Sequence, residues 1–374
     1  MKNVIVFGLG EMGKKLIDEC LKFDADVIIT AILDNNAAEN NYKNIPVIKP
    51  KDLSKYAYDD IWISTVYYQE IMKQLFSEYG VEKGKMHFVE PVVPVLENRL
   101  RRKYKEQINH IDSASDGSFL SDEMKEVLYY LKYHPLRMYC YPFYDEYLNK
   151  QSQIQYDDKN GLYYGMYDGK RMYLSRKFNT YEKANAYFNA VTMEQDTRSP
   201  HCYWNAKNQY NASGIGVDLG AAEGIFALKV IDQAEHIYLI EGDDGWVEAL
   251  QYTFEPFQDK VTIFTKYVGK EDRDNYAKLD TLLFSEKIDF IKMDIEGMEL
   301  EALEGAEKIL LNNKMQLAIC VYHHREDNEV IGQWLHKRGY QFQNSKGFVV
   351  CQGDWELEKD ETDFRRALLF ANNA

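Results

Sequence analysis

Short apolar runs recur along the chain, each followed by a glycine turn, an acidic tip or an amphipathic stretch. From the amino terminus, NVIVFGLGEMGKKLIDECLKF reads as a strand, a tight glycine turn and a helix. VIITAILD is a second strand, IPVIKPKDL a short strand and a turn, and DDIWISTV a fourth apolar run ending in small polar residues. Strands alternating with helical stretches predict a parallel sheet with helices on its faces. The pattern restarts near residue 213. GIGVDLGAAEGIFALKVI is strand, turn and helix, AEHIYLIEGD a strand ending in acids, and DGWVEALQYTF a helix. DKVTIFTKYV is a strand, KIDFIKMDIEGMEL a strand ending in an acidic cluster, LEALEGAEKILL an amphipathic helix, and MQLAICVYHH a strand.

The chain between these halves has another texture. Residues 97–115 are a charged helical connector, ENRLRRKYKEQ, ending in the turn-like joint SASDGS. Its basic run RLRRKYK reads as a solvated helix face; binding of an anionic partner is the alternative. In residues 116–212, SDEMKEVLYYLKYHPL opens with a capping serine and early acids, so a helix follows. GLYYGMYDGKRMYLSRKF alternates around Asp168-Gly169 and predicts a hairpin. TYEKANAYFNAVTMEQD is a helix and TRSPHCYW a loop. The expected fold class is therefore α/β. It has two Rossmann-like doubly wound domains, at 1–96 and 213–374, with a Tyr-rich helix and hairpin region between them.

Composition narrows the function. With 374 residues, 45% of them hydrophobic and 28% charged, the chain is globular and long enough for two or three domains. Its net charge of −15 repels phosphate backbones and disfavours nucleic acid as a main ligand. No apolar run reaches the roughly 20 residues of a membrane span, and no signal peptide is seen. The five cysteines are scattered without a CxxC pair, which points to a reduced, cytoplasmic protein. Fourteen of the 29 tyrosines lie between Tyr129 and Tyr187. A tyrosine-rich core or interface is the preferred reading, and a stacking surface for sugar rings the alternative.

The first glycine turn is Gly8, Gly10 and Gly13, with Asp34 ending the next strand. Such glycines let a backbone approach a pyrophosphate at a helix N-terminus, and such an acid accepts ribose hydroxyls. The bland alternative is close helix–strand packing. The run FGLGEMGKKL…AILDNN…IPVIKPKDL resembles small Rossmann-like domains attached to bacterial sugar-modifying enzymes, including the N-terminal part of sugar acyltransferases. That resemblance implies a nucleotide or nucleotide-sugar site, or a docking remnant.

The second turn differs: Asp218 ends the strand before Gly220, Ala221, Ala222, Glu223 and Gly224. A carboxylate there disfavours a pyrophosphate and suits a phosphate-free ligand with amino groups and hydroxyls. S-adenosylmethionine, a sulfonium with an α-amino group and a ribose diol, is such a ligand. Glu241, with Gly242 beside it, ends the next strand where a carboxylate can take both ribose hydroxyls. Asp294 and Glu296 should reach the same sheet edge. Converging acids need a positive partner, whether the sulfonium, a metal ion or Lys292. Glu299 and Glu301 read as acids favoured at a helix N-terminus. His323 ends the next strand as a general base or metal ligand, while His324 points to solvent.

These elements, VDLGAAEGIFAL, LIEGD, LDTL, IDFIKMDIEGMELEALEGA and ICVYHHREDNEVI, together resemble the FkbM family of S-adenosylmethionine-dependent methyltransferases over about residues 216–340. The resemblance implies transfer of a methyl group to a hydroxyl, often of a sugar or natural product. The expected acceptor is a small molecule or a glycan, in polysaccharide biosynthesis or on a glycosylated metabolite. It also implies that Asp218, Gly220 and Glu241 hold the cofactor. Glu194, His201 and Tyr203, in MEQDTRSPHCYW, would close over the site. Glu223 stands where many members have asparagine. Asp280, in LDTL, is read as a cap. His323 is the expected base, oriented by Asp294 or Glu296. A variant places Mg²⁺ on Asp294, Glu296 and His323; the metal-free form is preferred. Two rival functions stay open: a nucleotide-sugar oxidoreductase or isomerase centred on GLGEMG, and a non-catalytic scaffold for glycan assembly. The sequence leaves homo-oligomer formation open.

Overall fold

Each glycine turn sits where a central strand hands over to a helix, and the two parallel sheets grow outward from those strands. The computed structural model describes residues 1–23, 26–36, 38–112, 120–148, 150, 152–204, 212–350 and 363–373. It divides into two compact units, Met1–Cys140 with Val350–Asp363 and Tyr141–Val349 with Phe364–Ala374. The expected 116–212 region is shared between them.

The first unit contains β1 (Lys2–Phe7), α1 (Glu11–Lys22), β2 (Val27–Leu33), β3 (Asn41–Tyr42), β4 (Ile45–Ile48), β5 (Asp60–Ile63), α2 (Tyr68–Tyr79) and β6 (Met86–Phe88). Its sheet runs β3-β4-β2-β1-β5-β6, parallel except for β3 against β4. Ile5, Phe7, Ile61, Ile63 and Leu75 form the core over it. The β3–β4 hairpin was not expected from sequence: its turn residues, Lys43 and Asn44, both take positive φ without a glycine. The connector is two helices, α3 (Val93–Lys103) and α4 (Lys105–His110), broken at Tyr104. Its basic run is solvated in part, as expected, with Arg102, Lys103 and Lys105 exposed, and it is also engaged. Arg101 binds Glu97 at 2.7 Å and the His134 carbonyl at 2.9 Å, and Lys103 pairs with Asp363 at 2.5 Å. The expected joint at 113–118 lies outside the described residues. Ser121 caps α5 (Asp122–Tyr133), accepting the Met124 N–H at 3.2 Å.

The second unit opens with α6 (Pro142–Leu148), β7 (Gln155–Asp157), β8 (Leu162–Tyr167), β9 (Lys170–Tyr173) and α7 (Tyr181–Glu194). Asp168 and Gly169 form the expected hairpin turn with φ of 49° and 77°. Then follow β10 (Ile215–Leu219), α8 (Ile225–Val230), β11 (His236–Glu241), α9 (Asp244–Thr253), β12 (Val261–Thr265), β13 (Tyr267–Val268) and β14 (Tyr276–Ala277). The chain continues through α10 (Leu279–Leu282), β15 (Phe290–Met293), α11 (Glu299–Glu304), α12 (Glu307–Asn312), β16 (Gln316–Cys320), α13 (Asp327–His336) and β17 (Gln341–Asn344). Short strands β18 (Val349–Val350) and β19 (Phe364–Arg365) precede β20 (Leu368–Asn372).

The large sheet runs β12-β11-β10-β15-β16-β20-β17, with β20 antiparallel to both neighbours. This antiparallel edge is absent from the sequence-based expectation. The tyrosine-rich region is in part core, as in the preferred reading, while Tyr129, Tyr133, Tyr156 and Tyr181 are exposed. Tyr164 and Tyr173 pack on Trp246 and Ala249 of α9, and the Tyr173 N–H donates to Thr253 Oγ1 at 2.9 Å. Asp280 caps α12 as expected, accepting the N–H groups of Lys308 at 3.0 Å and Ile309 at 2.9 Å. Cys20, Cys140, Cys202 and Cys320 are free and buried. Among the described residues no helix is long and apolar enough to cross a membrane.

Candidate active site

Parallel register brings the carboxyl ends of β11, β10, β15 and β16 side by side. At that edge lies a cavity of about 390 Å³, within the ordinary range for small-molecule sites. Four carboxylates line it, from Glu241, Asp243, Asp294 and Glu296, against one lysine, Lys266. Gly220 and Gly242 line it too.

Gly220 is required by close approach. Its φ is +69°, and a Cβ there would stand 2.0 Å from the Asp294 carbonyl oxygen. Glu241 ties the turn from the neighbouring strand. Its Oε2 accepts the Ala222 N–H at 2.9 Å and its Oε1 the Asp243 N–H at 2.8 Å. Each oxygen keeps a further lone pair for a ligand.

Beneath the turn is a buried ion pair. Asp218 and Lys292 face each other in register on β10 and β15, with Nζ 3.0 Å from Oδ1. Lys292 also donates to the Gly220 carbonyl at 2.7 Å. Although burial alone would lower it, the charges of Asp218 and Asp294 hold the Lys292 pKa well above the usual lysine range. Asp218 is fully buried and does not line the cavity. Of the three expected positive partners, the structure therefore provides Lys292.

Asp294 is the hub. Its Oδ2 accepts the Tyr203 hydroxyl and lies 3.7 Å from His201 Nε2, while Oδ1 lies 3.6 Å from His323 Nε2. Burial would raise its pKa, but Lys292 and the two histidines hold it well below the carboxylate range. His201 is driven the other way by burial, to about 4, and is neutral. It also sits 3.4 Å from Cys320 Sγ. Glu194 stays protonated at neutrality, since burial and the nearby Asp294, Glu223 and Glu296 charges push it to about 8. The expected loop residues thus gather around Asp294, although Glu194, His201, Tyr203 and His323 do not themselves line the cavity.

The orientation of His323 differs from the expectation. Its Nδ1 is 3.1 Å from Glu299 Oε1, and Glu299 is completely buried. Asp294 and Glu296, the expected orienting residues, face Nε2 at 3.6 and 3.7 Å. Burial would lower the His323 pKa, but the Glu299 carboxylate beside Nδ1 and the surrounding carboxylates raise it to about 9. The resting ring is a cation. Three ligand atoms of Asp294, Glu299 and His323 lie within 4.8 Å of one another, as do those of His201, Asp294 and Cys320. Glu296, from the expected magnesium trio, instead projects to solvent with its side chain 94% exposed. Glu223 is buried, accepts the Tyr187 hydroxyl at 2.5 Å, and like Ala221 and Gly224 does not line the cavity. Gly224 caps α8. His324 is exposed, as expected.

In the first unit, Asp34 Oδ2 accepts the Leu9 N–H at 2.8 Å and Oδ1 the Asn36 N–H at 2.7 Å. Gly10 caps α1, and Gly13 packs so closely that a Cβ would meet the Gly8 carbonyl oxygen at 1.9 Å. A cavity of about 490 Å³ lies at the opposite sheet edge, lined by Lys2, Asp60, Trp62, His87, Arg101 and Arg137.

Comparison with known families fits this layout. Residues 164–342 match the FkbM methyltransferase domain. This segment carries a methyltransferase FkbM domain. Residues 1–87 match the amino-terminal domain of C2185-like proteins. The methyltransferase domain begins in β8, so it takes in the hairpin and α7 that the sequence pattern set apart. Their packing on α9 explains why. The chain is similar over 99% of its length to methyltransferase FkbM from Methylobacillus flagellatus KT, at 15% identity, 90% coverage of that chain and a TM-score of 0.46. A precorrin-6y C5,15-methyltransferase from Geobacter metallireducens GS-15 is 12% identical over 45% of this chain and 83% of its own, with a TM-score of 0.32. TrmK of M. capricolum, solved with S-adenosyl-homocysteine, is 12% identical over 44% of this chain and 64% of its own, with a TM-score of 0.30. Among curated proteins no match is found.

Proposed function

We propose that the methyltransferase domain uses S-adenosylmethionine to methylate a hydroxyl, most suitably of a sugar in a surface glycan or glycosylated metabolite. The observation that carries this reading is the charge of the cavity: four carboxylates against one lysine at the carboxyl edge of a parallel sheet. Such a lining opposes a pyrophosphate and suits a sulfonium with an ammonium and a ribose diol. Glu241 would accept the ribose hydroxyls, and the Gly220 turn would pass close to the methionine portion. Asp218 would act through the turn it supports.

The bound cofactor supplies an electrophilic methyl group whose C–S electron pair stays on sulfur when the acceptor oxygen attacks. The protein must align that oxygen and take its proton. His323 is the proposed proton acceptor, with Nε2 toward Asp294 and Glu296. At a pKa of about 9 it is neutral in only roughly 1% of molecules at pH 7. Positive charge arriving beside Asp294 lowers that pKa and frees the base. Asp294 would steer the acceptor, with Tyr203, His201 and protonated Glu194 around it. The metal-free form is preferred; in the alternative form Asp294, Glu296 and His323 would hold Mg²⁺, which would lower the pKa of the acceptor hydroxyl. The free cysteines support a reducing, cytoplasmic setting. The sugar assignment rests on the habits of FkbM enzymes.

The test is incubation with methyl-labelled S-adenosylmethionine and a cell glycan extract. Label in an alkali-stable methyl ether is expected. Label appearing only as a base-labile methyl ester would overturn the hydroxyl assignment.

A further inference from the structure

We propose that Glu299 is a positioning residue of this site: it holds the His323 ring by Nδ1 and so turns Nε2 toward the cavity carboxylates. This rests on the reading of His323 as proton acceptor. Glu299 opens α11, where an acid needs no more than the helix N-terminus to account for it. Its surroundings go further. The side chain is completely buried, an expensive place for a carboxylate without partners. Its Oε1 accepts the Ile295 N–H at 3.0 Å and forms an ion-pair contact of 3.1 Å with His323 Nδ1, while Nδ1 and Glu299 Oε2 are both buried without a hydrogen bond, which leaves this carboxylate as the partner at hand for the ring. One oxygen thus joins the acidic turn after β15 to the histidine after β16. The positive φ of Glu296 and Gly297 folds the turn back so that Glu299 can reach. On the other side of the ring, Nε2 lies 3.6 Å from Asp294 and 3.7 Å from Glu296, both of which line the cavity. A carboxylate on one imidazole nitrogen fixes the tautomer and aims the lone pair of the other. Tyr322, with its ring 4.3 Å from that of His323, limits rotation further.

The test uses the full chain labelled with ¹⁵N-histidine, with His323 assigned by His323→Gln. Ring nitrogen spectra are recorded at alkaline pH, where the ring is neutral, for wild type, Glu299→Ala and Glu299→Gln. Wild type is expected to hold its proton on Nδ1. Glu299→Gln, which keeps an acceptor oxygen, should retain that tautomer, and Glu299→Ala should shift toward a mixture. An unchanged tautomer in Glu299→Ala would overturn the proposal. S-adenosylhomocysteine titrated into the same samples separates the two levels of argument. A wild type that does not bind it defeats the methyltransferase reading and leaves the ring result standing.

Discussion

The two units build the same turn and surround it differently. In each, an acid at the end of the second strand takes two backbone N–H groups, one in the glycine turn and one two residues beyond itself. Asp34 does so with Leu9 and Asn36, and Glu241 with Ala222 and Asp243. In each, the first glycine donates its N–H to that strand, Gly8 to Leu33 at 2.8 Å and Gly220 to Ile240 at 3.0 Å. The acid and the glycines are thus what a parallel sheet needs to turn a corner, and do not by themselves report a ligand. The difference lies one layer out. In-register Val6 and Trp62 of the first unit correspond to Asp218 and Lys292 of the second. Ser64, buried after β5, stands where Asp294 follows β15. The second unit has placed charge at positions that the first fills with apolar and small groups, and the carboxylate-lined cavity is there.

The largest effect should come from breaking that charge layer. Lys292→Met leaves Asp218 buried and unpaired and should cost about 3–5 kcal/mol by denaturant unfolding. Adding Asp218→Val imitates the first unit, so the double variant should recover most of the stability without recovering S-adenosylhomocysteine affinity. A single-variant cost below about 1 kcal/mol would show that the pair does not support the turn.

Next is pH. The His323 pKa is raised from 6.5 to about 9, so its stabilisation is complete below about 6.5 and lost as pH rises through 9. Glu194, raised from 4.5 to about 8, acts in the same direction, its contribution being lost as pH rises through 8. Unfolding free energy should therefore fall by up to about 3 kcal/mol for His323 between pH 6.5 and 9. His323→Gln should flatten that slope, and a slope equal to wild type would contradict the assignment.

Smaller still is the comparison of the two turn acids. Glu241→Gln should weaken S-adenosylhomocysteine binding by about tenfold, the worth of a charge-assisted hydrogen bond. Asp34→Asn should leave that affinity unchanged. Titrating UDP-glucose into both variants sharpens the contrast. Heat that Asp34→Asn abolishes would make the first turn a ligand site in its own right.

Much of this was legible in the sequence wherever the local signal was strong. The glycine turns fixed the two central strands, Asp168-Gly169 the hairpin, and Ser121 and Thr180 the helix starts. Strand-end position alone brought Glu241, Asp294, Glu296 and His323 to one edge. What escaped depended on pairing between distant segments. β17 and β20 are joined only through residues far apart in the chain, and Gln341–Asn344 alternates too weakly to announce a strand. The Asp218–Lys292 pair needs the register of β10 against β15. Glu299 was masked because an acid at a helix start is already explained, and its burial against His323 emerges only when β16 is laid beside β15.

The most direct measurement is calorimetric titration of S-adenosylhomocysteine into Gly220→Ala and Gly13→Ala beside wild type. Both glycines lie within about 2 Å of a backbone oxygen once a Cβ is added, and Gly220 also holds a φ of +69°, so Gly13→Ala controls for the clash alone. Binding is expected in wild type and in Gly13→Ala, with none in Gly220→Ala. No binding in wild type, or equal binding in all three proteins, would contradict the placement of the chemistry at the second turn.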